Sequence, residues 1–339
     1  MKKKFTPDFN EMLKVLRKEK PSRPVLFELF MNGTVYQHLS NKKFTDEKYS
    51  YEKTVIDAFC AGGYDYASMA ASGFYFTQGE SAHLKTKSLN DGSLINDFKT
   101  FESYKWNDPD SFDYTWLNEI GKYMPDGMKL MIMGPCGVLE NVIGIMGYEN
   151  LCIAIYEEPE LARLMFENVG ERLVKYYKNA LEYDCVGMIM SNDDWGFKTQ
   201  TFLSVEHMRE YVFPWHKKIA ETAHNAGRPV LLHSCGYAED VMNDIIHDIK
   251  FDARHSYEDI ILPIEESYKK WGGQIGIMGG IDVDFLVRND IDAIKDRCRN
   301  MLDLSETKGG YALGSGNSIP EYITVEKYMA MIETAWERR

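Results

Sequence analysis

No stretch of this chain approaches the roughly 18 consecutive apolar residues that a membrane-crossing helix needs, so no transmembrane helix is expected. Basic charge is also in short supply. Lys and Arg number 39 against 52 Asp and Glu, a formal net charge of −13. That balance argues against nucleic acid or an anionic membrane surface as a partner. Cysteine is sparse and scattered, with six residues at Cys60, Cys136, Cys152, Cys185, Cys235 and Cys298. The basic opening Met1-Lys-Lys-Lys-Phe5 has no apolar segment behind it, so it does not read as a signal peptide. The thiols are therefore expected to be reduced, in a cytoplasm, and not paired into a disulfide frame. There is no low-complexity tract, no Walker loop, no Gly-x-Gly-x-x-Gly phosphate cradle, and no internal repeat beyond an alternation of strand and helix patterns.

What the chain does have is enough apolar material for a large core: 339 residues, 44% of them hydrophobic. The 18 Met, 21 Tyr and 17 Phe suit either a sizeable apolar cavity or the filling of that core. Length alone suggests about two domains, but single α/β barrels also reach this size. Eight short apolar runs read as buried strands: 23–30, 66–70, 129–134, 186–191, 229–233, 251–255, 274–279 and 310–313. Helical spacing occupies 8–20, 49–61, 112–123, 149–157, 159–183, 204–226, 238–247, 263–271, 291–304 and 325–336. A hairpin is expected around Asn90-Asp91-Gly92. The alternation without a domain-breaking linker predicts one (β/α)8 TIM barrel over 1–339, preceded by a short helix at 8–20. An open doubly wound sheet is the alternative.

The segment Arg228-Pro-Val-Leu-Leu-His-Ser-Cys-Gly-Tyr237 is the focus of the chain. Alternate side chains on a strand lean to the same side. His233 and Cys235 can therefore aim an imidazole nitrogen and a sulfur at one point, which is half of a zinc site. A buried strand end with a structural His and a free Cys is the plainer alternative. Its surroundings favour a site. In a barrel the chemistry gathers at the carboxyl ends of the strands, and there the sequence puts Glu28, Asn32, Cys136, Asp193, Asp194, His233, Cys235, His255, Glu258, Asp282, Ser315 and Asn317. Several have structural alternatives, since Asp193, Asp194 and Asp282 suit helix caps and Cys136 suits a small buried side chain.

The motifs Asp193-Asp-Trp-Gly196, Ser204-Val-Glu-His207, Leu232-His-Ser-Cys-Gly236 and Gly279-Gly-Ile-Asp282, with the Gly-Gly-Tyr strand at 309–311, resemble the uroporphyrinogen decarboxylase superfamily. Within it, His-x-Cys-Gly is similar to the branch of zinc- and corrinoid-dependent methyltransferases. True uroporphyrinogen decarboxylases carry an Arg-Gln-Ala-Gly-Arg segment that grips substrate carboxylates. The comparable stretch here, Glu28-Leu-Phe-Met-Asn-Gly33, has no Arg, which speaks against porphyrinogen decarboxylation.

The resemblance implies metal ligands at His233, Cys235 and Glu258, with a last ligand near Ser315, a position that is often Cys in the family. A neutral hydroxyl is a poor zinc donor, so either the fourth place falls to water or the site has lost its metal, with Cys136 a substitute if the loop after the third strand reaches. The implied activity moves a methyl group between a small methylated compound, or a thiol, and a partner corrinoid protein. Zn²⁺ is the implied cofactor, and cobalamin is carried by the partner. Asp193, Asp194 and Glu28 would be catalytic, while Asn32, His255, Asp282 and Asn317 would bind substrate. A decarboxylase or other lyase, or a catalytically idle barrel kept as a binding partner, are the competing readings.

Overall fold

A computed structural model describes residues 5–79, 89–90 and 93–339. Seven parallel strands form one curled sheet in sequential order: β1 (Tyr66–Ala70), β2 (Lys129–Met133), β3 (Val186–Asn192), β4 (Val230–His233), β5 (Ala253–His255), β6 (Gly276–Met278) and β7 (Tyr311–Ala312). Each occupies one of the expected apolar runs. The strands are buried on both faces because helices cover the outside, and β4 is buried along its whole length.

The helices form where apolar residues recur at a period of 3.6. Pro159–Leu181 opens with Pro, whose missing N–H has no role in the first turn. It buries Leu161, Ala162, Met165, Phe166, Val169, Leu173, Tyr176, Tyr177 and Ala180 along one face. Gly170 on that face lets the Trp215 indole lie against the helix backbone, where an added Cβ would stand 2.1 Å from the ring.

Three expectations change in detail. The helix expected over 204–226 divides into Val205–His207, a π-helical turn at Met208–Val212, and Phe213–Asn225. Pro214 lacks an N–H and its ring crowds the preceding turn, which the wider π turn accommodates. Likewise, 238–247 becomes a 3₁₀ turn at Glu239–Val241 and a π turn at Asp244–Ile249. The first helix is only Phe9–Leu16. Helices at Gly33–Ser40, Phe98–Ser103, Val138–Met146 and Val283–Arg288 had no clear pattern in the sequence. Asp91 and Gly92 of the expected hairpin lie outside the described residues.

The first expected strand, 23–30, forms no ladder. It meets the far edge of the sheet through isolated bridges, Leu26 with Leu313 and Met31 with Ile319. Phe27 N–H donates to Leu313 O at 2.8 Å, and Leu313 N–H donates to Val25 O at 2.9 Å. Toward β1 the contact runs through one side chain. The Tyr66 hydroxyl accepts from Glu28 N–H at 2.7 Å and donates to Glu28 O at 2.6 Å. A phenol thus stands where a neighbouring strand would bond, and the segment joins the two edges of the curled sheet. Among the described residues no single helix is long and apolar enough to cross a membrane.

Candidate metal centre

Parallel pairing of β4 with β5 sets His233 beside His255, and both side chains turn inward. Their Nδ1 atoms lie 2.8 Å apart, so one carries a proton and the other accepts it. Burial holds both rings neutral: His233 is lowered to about 4 and His255 well below the ordinary histidine value. A carbonyl decides which nitrogen has the proton. His255 Nε2 is 3.1 Å from Ser315 O. A carbonyl only accepts, so His255 is protonated at Nε2 and its Nδ1 accepts from His233 Nδ1–H. The remaining lone pair of His233 is on Nε2, the tautomer a metal requires.

That lone pair faces Cys235 Sγ at 3.6 Å. Asn317 Nδ2 donates to the same sulfur at 3.1 Å. Burial, followed by the Asp194 charge, pushes the Cys235 thiol well above the usual range. The Asp194 side chain is itself placed by pairing, because β3 aligns Asn192 with His233. Two residues further on, Asp194 Oδ1 accepts Cys235 N–H at 2.8 Å. Donor atoms of Asp194, His233 and Cys235 all lie within 4.8 Å of one another. An imidazole nitrogen, a sulfur and a carboxylate oxygen form a donor set that fits Zn²⁺ with a position left open.

The other expected site residues are dispersed. Glu258 pairs with Lys198 and receives only a long 3.4 Å contact from Gly236 N–H; it is not among the three converging donors. Ser315 donates its hydroxyl to Glu28 Oε1 at 2.6 Å and is not among the three converging donors. Glu28 is fully buried behind it, its carboxyl pushed up to about 8 by desolvation against the pull of the Ser315 bonds. His255 is fully buried and packs its ring on Phe27 at 5.0 Å; it supports His233 and has no open face for a substrate. Asn32 caps the helix Gly33–Ser40 by accepting Val35 N–H, and donates to Pro320 O. Asp282 caps Val283–Arg288 and also accepts Asp259 N–H. Asn317 does reach the site, through Cys235. Cys136 is exposed, in a left-handed conformation, outside the three converging donors.

Asp193 is wholly buried. It accepts from Leu139 N, Glu140 N, Trp195 Nε1 and His216 Nε2 at 2.8–3.0 Å. These four donors tie it to the frame around the site. Sequence reasoning missed Glu140, whose carboxyl is raised to about 8 by burial and then by the charges of Asp193 and Asp194. It also left Asp194 outside the ligand set; the in-register pairing of consecutive barrel strands was the available signal.

A curled parallel sheet with a nitrogen–sulfur–carboxylate cluster at the carboxyl ends of neighbouring strands belongs to the barrel-like α/β proteins that gather chemistry at that face. Residues 128–338 match the family model of uroporphyrinogen decarboxylase (URO-D), and the chain belongs to that family. Among solved structures, a methyltransferase from Methanosarcina mazei superposes with a TM-score of 0.71 at 15% identity, covering 98% of this chain and 99% of that one. At that identity the likeness is one of fold. A protein named for vitamin-B12 independent methionine synthase from Listeria monocytogenes gives a TM-score of 0.46 at 12% identity, over 93% of this chain and 99% of that one. No curated protein matches the chain.

Proposed function

We propose that this chain is a zinc-dependent methyltransferase with a complete (β/α)8 barrel, in which the segment 25–31 serves as the eighth stave. It transfers a methyl group between a small methylated compound, or a thiol, and a corrinoid held by a separate protein. The observation that carries this reading is the convergence of His233 Nε2, Cys235 Sγ and Asp194 on one point, with the histidine held in the ligand tautomer. The methyltransferase name of the Methanosarcina neighbour supports it. When bound, zinc supplies a Lewis acid that favours a thiolate over a thiol, or polarises a substrate heteroatom.

The protein's own groups prepare that position. Asn317 donates to the sulfur and Asp194 fixes the Cys235 main chain. His255 and the Ser315 carbonyl hold the His233 ring. Glu28 and Asp193 are buried parts of the frame. A lyase acting on a carboxylated ring is less well supported, because 28–33 offers no Arg to hold carboxylates.

Protein purified without chelator should carry close to one zinc per chain by mass spectrometry. Cys235→Ser and Asp194→Ala should lose it, and Glu258→Gln should retain it. His255→Phe keeps every ligand but should weaken zinc about 10- to 100-fold in chelator competition. Demethylation of free methylcobalamin by small thiols, followed by its visible spectrum, is the matching activity test. Absence of zinc even after reconstitution would sink the proposal. Loss of zinc in Glu258→Gln but not in Asp194→Ala would replace the third ligand and leave the function standing.

A further inference from the structure

Arg254 alternates with His255 along β5, so the two side chains leave opposite faces of the sheet. His255 points to the metal centre, and Arg254 points outward beneath the loops that follow β4 and β5. It is only 5% exposed. Its Nε has no hydrogen-bond partner, and no carboxylate pairs with it among the described residues. The guanidinium lies over the Tyr257 ring, 4.8 Å from its centre. Ser256 Oγ and Tyr257 Oη, on residues 2% and 4% exposed, form no well-aligned hydrogen bond; Ser256 faces the Cys235 thiol and Tyr257 faces the Arg254 guanidinium. All three side chains line one cavity of about 10 Å³, room for a single water-sized occupant.

Two acids border the same cavity, but each is already neutralised. Glu239 accepts from Lys270 Nζ at 2.7 Å and from Trp271 Nε1 at 3.3 Å. Glu258 is paired with Lys198. Against these two carboxylates stand three cations, and Arg254 is the one without a partner. With both acids paired to lysines, the buried guanidinium of Arg254 is left as a positive charge with no carboxylate against it, bordered by hydroxyls that can donate. Burial of an uncompensated charge is strongly unfavourable, and a neutral water would leave it uncompensated.

We propose that this pocket binds one small monatomic anion of the chloride class, held by Arg254, Ser256 Oγ–H and Tyr257 Oη–H. The anion joins the β4 loop, where Gly236 follows Cys235, to the β5 loop at Ser256–Tyr257. It does not rest on the proposed activity, although Ser256 also faces the Cys235 thiol.

The full chain is titrated with sodium chloride against sodium gluconate at constant ionic strength, and thermal unfolding is followed. Chloride should raise the midpoint saturably by about 2 °C or more, and bromide should replace it. Crystals soaked in bromide should show an anomalous peak between Arg254, Ser256 and Tyr257. Arg254→Met should abolish the halide-specific rise while zinc content stays unchanged. The double variant Ser256→Ala/Tyr257→Phe should reduce the rise, and serves if Arg254→Met fails to fold. Equal curves in chloride and gluconate with no bromide peak would overturn the proposal, as would formate or acetate replacing chloride at the same position.

Discussion

Two buried histidines share one proton between facing nitrogens, and the direction of that bond fixes which atom of His233 remains a base. A second buried group of this kind is Glu28. Its carboxyl is raised to about 8 in the folded chain, from an ordinary value of 4.5, chiefly by desolvation. A folded value above the unfolded one gives stability that is complete below about pH 4.5 and is lost as pH rises toward 8. Glu28→Gln has no such titration. Urea unfolding across pH 5 to 8 should therefore show the wild type losing stability relative to the variant, by an amount on the order of a few kcal/mol. Parallel curves would mean that Glu28 is ionised throughout. At this scale the sequence was informative where alternation on one strand did the placing, as with His233 and Cys235. It was silent where a main-chain atom did the work, as with Ser315 O.

Elements are tied together near the site by Asp193. From the end of β3 it accepts two N–H groups at the start of Val138–Met146, where the helix dipole favours a negative charge. It also accepts from His216 on Phe213–Asn225, whose Nδ1 lies 2.9 Å from Ser191 Oγ. Removing a buried acceptor that serves four donors strands all of them. Asp193→Ala should destabilise the chain by about 3 kcal/mol or more, read from the denaturant midpoint at unchanged slope. A loss of zinc without a loss of stability would instead move Asp193 into the metal machinery. Strands were readable here because short buried apolar runs end in Gly, Pro or Asp. The helix Val138–Met146 was not, because it opens directly after Pro135-Cys136-Gly137 with no Ser, Thr or Asp at its start. Its first-turn N–H groups at Leu139 and Glu140 are capped by Asp193, more than fifty residues away, and only Gly137 N–H by the local Glu140.

Seen whole, the molecule is a seven-stranded sheet curled until one segment spans its edges. The order of strands was readable from their alternation with helices. The nature of the seam was not, since nothing local marks Tyr66 as a partner for Glu28. Tyr66→Phe leaves a buried N–H and a buried C=O unbonded, and should cost about 1–3 kcal/mol. Hydrogen exchange should quicken at Phe27 and Leu313 before it quickens in β2, β3 or β4. Uniform exchange across all strands would mean that the seam is no weaker than the rest of the sheet.

The atom at position 315 that orients His255 is a carbonyl oxygen, which every amino acid carries. Side-chain identity at 315 is thereby uncoupled from the tautomer of His233. Ser315→Cys would put a sulfur where a hydroxyl now meets Glu28, while the proton would still point the same way. A thiol could replace the alcohol there and leave the imidazole ready, because the instruction is held in the path of the chain and not in its alphabet.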